Sequence, residues 1–286
     1  MKQFYVKDCP SDSTIFSWIS KETNLSQAIL DVTPSIDFDD IVVLPHALDL
    51  EKIIKITKET VDQFGIKGWQ TSAGESSAYG GLSLVYNPDL IESVDPNQNT
   101  LGTKNNAPNK FYYGSTEKFQ SIKNTYFDSY GFRKLAPCVT NTELNNFISQ
   151  FVLSPTRSRI GVINARYHDY VGEDFLWHKD EIIFENLRIN IPIITDDSFL
   201  FQLESKSPLH LQLGKIYTWD THRAHRVYST YKSNVRRVHL VLGFSPWINY
   251  DNSNDCFIVN DYFGKVHPLD ILLNGLAHPL IGNRYV

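Results

Sequence analysis

The sequence predicts a mainly β protein with flanking helices, its core a jelly roll or related double-sheet barrel. The first reason is a change of period after Pro155. Segments near 158–167, 175–180, 187–194, 198–203, 208–213, 215–219, 224–228 and 235–243 are short and rich in Ile, Val, Leu, Phe and Tyr, with polar or Gly/Pro/Asp punctuation between them. So many short strands within about ninety residues suit an architecture that closes its edges and leaves a mouth for a ligand. The second reason is that helical spacing occurs upstream of this run, where helices would brace one sheet from outside. The third is composition: 286 residues that are 42% hydrophobic, 21% charged and 13% aromatic can bury a large single core.

The upstream part, 1–154, reads as an α+β elaboration of one domain spanning 1–286. Residues 1–40 are mixed and turn-rich, and Ile41-Val42-Val43-Leu44-Pro45 predicts a short strand ended by proline. Leu50, Ile53, Ile54, Val61 and Phe64 recur at helical spacing, Asp49 can cap the start and Gly65 follows the end. Gly81 to Tyr86 alternates as a strand before Asn87-Pro88, and 92–110 is a long polar run, read as a surface loop or as a lid. Thr140-Asn141-Thr142-Glu143 has the form of a capping box ahead of Leu144, Phe147, Ile148 and Phe151. The barrel core spans 155–245. The extension 246–286 ends with a helix expected from Pro268, carrying Leu269, Leu272, Leu273 and Leu276 on one face.

Several classes are disfavoured at once. A net charge of −5 provides no basic field for nucleic acid, although a local basic pocket can still take a small anion. Cys9, Cys138 and Cys256 are odd in number and far apart, which argues against a disulfide framework and fits a reducing cytoplasm. The N-terminus lacks an apolar signal core, and no apolar run reaches the length of a membrane span. Oligomeric state leaves no mark in the sequence.

Chemistry concentrates between Trp177 and Phe244. In an extended strand His178 and Asp180 face one side, so a His-x-Asp pair can offer two adjacent metal ligands. His225 follows several strands later, where a closing barrel would bring it back beside the pair. His222 competes, but if 224–228 is a strand then His225 holds the ladder position and His222 the turn. Two imidazoles and a carboxylate on one side of a metal form the facial triad of non-haem Fe(II) oxygenases. On the next strand either Arg236 or Arg237 can bind an anion; alternation groups Arg237 with His239 and Val241. Arg188 and Asn190 share a face of an otherwise apolar strand and need partners, supplied by a polar ligand or by internal hydrogen bonds. Arg166, Tyr167, Trp177 and Trp219 flank the ligand strands, either as substrate contacts or as barrel core.

The order His178-x-Asp180, Leu187-Arg188-Ile189-Asn190-Ile191-Pro192, Gly214-Lys215 ahead of Trp219-Asp220, His225-Arg226-Val227 and Arg237-Val238-His239-Leu240-Val241 resembles the aspartyl/asparaginyl β-hydroxylase and proline cis-hydroxylase group of 2-oxoglutarate-dependent oxygenases. The resemblance covers about 155–245. It implies a double-stranded β-helix (cupin-like) core, Fe(II) held by His178, Asp180 and His225, and a 2-oxoglutarate carboxylate paired with Arg237. The family often carries Arg-x-His on the arginine strand, with the histidine near the co-substrate. Here Asn190 stands in that place and offers a carboxamide instead. The His225-to-Arg237 interval is slightly long for the family, which keeps Arg236 as an alternative.

The expected activity is therefore hydroxylation of a C–H bond in a small acidic substrate, an amino acid or peptide side chain, with O2 consumed and succinate and CO2 released. Arg188, Trp177 and Arg166 are the substrate-side candidates. A second reading is a cupin-like barrel that binds a metal or small ligand without oxidation. A zinc hydrolase would need a general base at the metal, and Glu181 points to the strand face opposite Asp180.

Overall fold

In a computed structural model the protein is described over residues 40–46, 48–71, 74–88, 132, 134–149, 151, 153–164, 177, 180, 183, 186–221, 223–230, 234–251, 256–259, 262, 268–269 and 271–272. Its centre is a pair of antiparallel strands, β7 (Leu187–Ile194) and β11 (Arg236–Ser245). Around them a seven-stranded antiparallel sheet forms, in the order β1 (Val42–Val43), β9 (Tyr217–Thr218), β7, β11, β6 (Ser154–Asn164), β3 (Gly74–Ser83) and β2 (Lys67–Thr71). A second sheet pairs β8 (Phe199–Leu203) with β10 (His225–Ser229). Two further pairs are β4 (Val85–Tyr86) with β5 (Lys134–Leu135), and β12 (Ile248–Asp251) with β13 (Cys256–Val259).

Alternation gives the large sheet two unlike faces. Leu187, Ile189, Ile191 and Ile193 of β7, Val238, Leu240, Leu242 and Phe244 of β11, and Ile160 and Val162 of β6 enter one apolar core. Three helices back that core: α1 (Leu50–Phe64), α2 (Pro137–Thr140) and α3 (Leu144–Ile148). Each such side chain, taken out of water, contributes roughly 1.5–3 kcal/mol before entropy is counted. The opposite face carries Arg188, Asn190, Arg237 and His239, all buried. A smaller core of Phe201, Leu203, Leu211, Tyr217 and Trp219 packs β8 against the β9 end of the large sheet.

The α1 helix starts and stops where its sequence directs. Asp49 accepts from the Lys52 N–H at 2.9 Å, and Gly65 closes the end at φ 74°. Its buried side also includes Thr57 and Thr60, whose hydroxyls donate to the carbonyls four residues back. The capping box does not form: Thr140 is the last residue of α2 and its hydroxyl donates to the Pro137 carbonyl at 3.3 Å, while α3 begins after Glu143 with no side-chain cap. The run 208–213 contributes one isolated bridge, Leu209 to Phe201, rather than a strand. Residues 81–86 divide at Leu84, between β3 and β4, although its N–H still donates to Ser158 O in the register of the β3–β6 ladder. The β12–β13 pair lies where the sequence shows only an aromatic, polar tail. Pro268, Leu269, Ile271 and Leu272 are helical as expected, with Ile271 and Leu272 in the main core. The expected polar loop 92–110 and residues 1–39 lie outside the described residues. None of the described helices is long and apolar enough to cross a membrane.

One glycine is fixed by packing. At the register shift between Val241 and Gly243, a Cβ on Gly243 would meet Asn186 Oδ1 and, at 2.5 Å, the Thr156 carbonyl oxygen. The Ser158 hydroxyl bridges the same point, accepting from Gly243 N–H at 3.0 Å. Gly243→Ala is expected to cost about 1–3 kcal/mol, because a backbone oxygen cannot swing aside. The readout is the urea midpoint, and an unchanged midpoint would contradict this packing.

Candidate active site

The polar face of the large sheet supplies one wall. Arg188 and Asn190 leave β7 on the side opposite its four core residues. Across the β7–β11 ladder, Asn190 faces Val241 and Pro192 faces His239. Across the β6–β11 ladder, Arg237 faces Ile163, His239 faces Gly161 and Val241 faces Arg159. Directly opposed residues share a face, so Arg159, Gly161, Arg188, Asn190, Arg237 and His239 belong to one surface. Arg236 points the other way and is exposed. Of the two arginines considered on this strand, Arg237 is therefore the inward one.

The second wall carries the acid and the histidine. Asp180 is buried, and its backbone N–H donates to Thr221 O at 2.8 Å. Arg188 Nη1 donates to Asp180 Oδ2. That same oxygen lies 3.6 Å from His225 Nε2. His225 opens β10, with the rings of Phe201 and Trp219 each 5.9 Å from its own. Burial pushes the His225 imidazole down to about 4, and the charges of Arg188 and Arg159 add to that, so the ring is neutral near pH 7. With the Arg223 carbonyl 2.9 Å from Nδ1, the proton sits on Nδ1 and the Nε2 lone pair is left toward Asp180.

The spacing of these two donors is one that a single divalent cation can span. Bonds of about 2.0–2.2 Å place two donors on one ion roughly 3–3.6 Å apart at open angles, and the second nitrogen of a ligating histidine is normally tied to a carbonyl. His178, the third expected ligand, lies outside the described residues, as do Arg166, His222 and Glu181. Among the described residues no group of three His, Cys, Asp or Glu converges on one point.

Arg237 is held without a carboxylate among the described residues, and burial lowers it to about 9 although Tyr79 partly offsets this. Its Nη2 lies 3.0 Å from His239 Nδ1. A guanidinium only donates, so Nδ1 accepts and the proton of the neutral His239 is on Nε2. Burial, then the charge of Arg237, holds His239 well below the usual histidine range. The unfolded chain thus binds a proton near pH 6.5 that the folded one refuses. This share of stability is complete above pH 6.5 and is lost as pH falls. His239→Gln is expected to flatten the acid limb of a stability profile by about 1.4 kcal/mol per pH unit below 6.5. Parallel limbs in urea titrations of the two proteins would refute it.

Two placements differ from the simplest sequence picture. Trp177 stacks under Arg226, whose guanidinium carbon is 4.7 Å from the Trp177 ring and 4.5 Å from that of Tyr228. Arg226 follows His225 in β10 and so leaves the opposite face, which puts the Trp177 ring on the outer side of that strand. Arg188, expected on the substrate side, is ion-paired with Asp180. Arg159 was not among the candidates. Its signal was the alternation of 159, 161 and 163 against the apolar Ile160 and Val162. No known protein family and no curated protein matches this chain.

Proposed function

We propose that the chain is an Fe(II)- and 2-oxoglutarate-dependent dioxygenase with a double-stranded β-helix core, hydroxylating a C–H bond of a small acidic substrate such as an amino acid or peptide side chain. The observation that carries this reading is the 3.6 Å approach of Asp180 Oδ2 to a neutral His225 Nε2, beside a buried Arg237. The strand order β6-β11-β7-β9 with β8–β10 behind it supports a jelly-roll reading of the core. His178 stands two residues from Asp180, within the roughly 7 Å that two residues can span.

His178, Asp180 and His225 would hold the iron, which when bound supplies O2 activation. The rest of the work belongs to the protein. Arg237 and Asn190 bind and orient the distal carboxylate of 2-oxoglutarate, Arg188 fixes the Asp180 carboxylate, and Arg159 adds a cation on the same face for an acidic substrate group. Phe201 and Trp219 keep water from His225. A reducing cytoplasm suits both Fe(II) and the buried thiol of Cys138, which donates to the Ser83 carbonyl.

The test is anaerobic addition of 2-oxoglutarate to the Fe(II) protein, which should give a weak metal-to-ligand charge-transfer band, followed by succinate formation on admitting air. A folded protein showing neither would sink the oxygenase reading. The Arg188–Asp180 pair favours the second reading, a non-oxidative barrel, because it balances the acid with no metal. That protein would bind small acids and form no succinate.

A further inference from the structure

The expected histidine of an Arg-x-His motif is missing from β7, where Asn190 stands. The same wall has a histidine one strand over. His239 is 1% exposed and Asn190 is 5% exposed, and among the described residues neither His239 Nε2 nor Asn190 Nδ2 has a hydrogen-bond partner. Burying such groups without partners is costly, and both are donors: Asn190 Nδ2 by its chemistry, His239 Nε2 because Arg237 occupies the other ring nitrogen. Beside them Gly161, opposite His239, leaves room among the described residues, none of which a Cβ there would meet within 4 Å. Three donors and room next to them describe a site for an acceptor with more than one lone pair.

We propose that His239 Nε2–H, oriented by Arg237, joins Arg237 and Asn190 in a donor set that grips one carboxylate of a dicarboxylate in the space beside Gly161. The assignment rests on the oxygenase reading in taking that ligand to be 2-oxoglutarate, and it moves the histidine contact from β7 to β11. Arg237 has two tasks in this arrangement, pairing with the carboxylate and setting the tautomer of its neighbour.

The experiment compares wild type, His239→Leu and His239→Gln, each loaded with Fe(II) without air and titrated calorimetrically with 2-oxoglutarate, 2-oxopentanoate and glutarate. 2-Oxopentanoate keeps the 2-oxo acid head and lacks the distal carboxylate. His239→Leu should weaken 2-oxoglutarate about 10- to 100-fold, leave 2-oxopentanoate nearly unchanged, and His239→Gln should recover part of the loss through its amide donor. In the Zn(II)-loaded, 15N-histidine-labelled wild type, the one imidazole N–H signal missing from His239→Gln should shift when 2-oxoglutarate is added, so the test survives a Leu variant that fails to fold. Equal 2-oxoglutarate affinity in wild type and a folded His239→Leu, or an unmoved His239 signal at saturation, overturns the proposal alone. Glutarate binding that depends on His239 without any 2-oxoglutarate binding keeps the carboxylate pocket and overturns the oxygenase reading. Binding of neither acid overturns both.

Discussion

Replacing His225 with alanine is expected to lower succinate formation from 2-oxoglutarate at least about 100-fold, since losing even a partner of a metal ligand costs 10- to 100-fold. His222→Ala should stay near the wild-type rate. The contrast follows from local structure. His225 begins β10, its Nδ1 is tied to the Arg223 carbonyl, and its Nε2 is left toward Asp180. Steady-state succinate release, with metal content measured in each protein, decides it. A large loss in His222→Ala and none in His225→Ala would assign the ligand to the turn.

Arg188→Met is expected to reduce the stability of the metal-free protein by as much as about 3–5 kcal/mol, the cost of removing one partner of a buried pair. Both side chains are buried, and the contact is made by the Asp180 oxygen that faces His225. A divalent ion and the guanidinium would thus compete for one atom. Saturating Zn(II) should therefore raise the urea midpoint of Arg188→Met more than that of wild type, on top of the roughly 2.7 kcal/mol that any ligand gives at a hundred times its Kd. Equal increments would mean that Asp180 does not take part in holding the ion.

Faces were legible in the sequence wherever a strand alternates. The separation of Arg237 from Arg236, the pairing of Arg188 with Asn190, and the inward histidine at the head of β10 all follow from a period of two, which the backbone enforces. The α1 ends were legible because Asp49 and Gly65 act on their own neighbours. What alternation cannot give is the partner across a gap. The closure of Arg188 on Asp180 and the seating of Arg226 between Trp177 and Tyr228 depend on how separate segments come together. One local motif lost to another. Thr140 ends α2 and its hydroxyl donates to the Pro137 carbonyl, so the box it would have opened does not form. The β12–β13 pair was hidden because its strands share no clean alternation of apolar and polar residues.

The unlike faces of the large sheet imply a parity rule for this molecule. Between 187 and 193 the odd-numbered positions of β7 lie in the helix-backed core, and between 237 and 242 the even-numbered positions of β11 do. The remaining positions lie on the opposite face, where Arg188 meets Asp180 and Arg237 meets His239. Substitutions of one parity should register chiefly in unfolding midpoints, and those of the other chiefly in what the protein binds. Change in ligand choice can therefore accumulate on one set of positions while the other set keeps the chain folded.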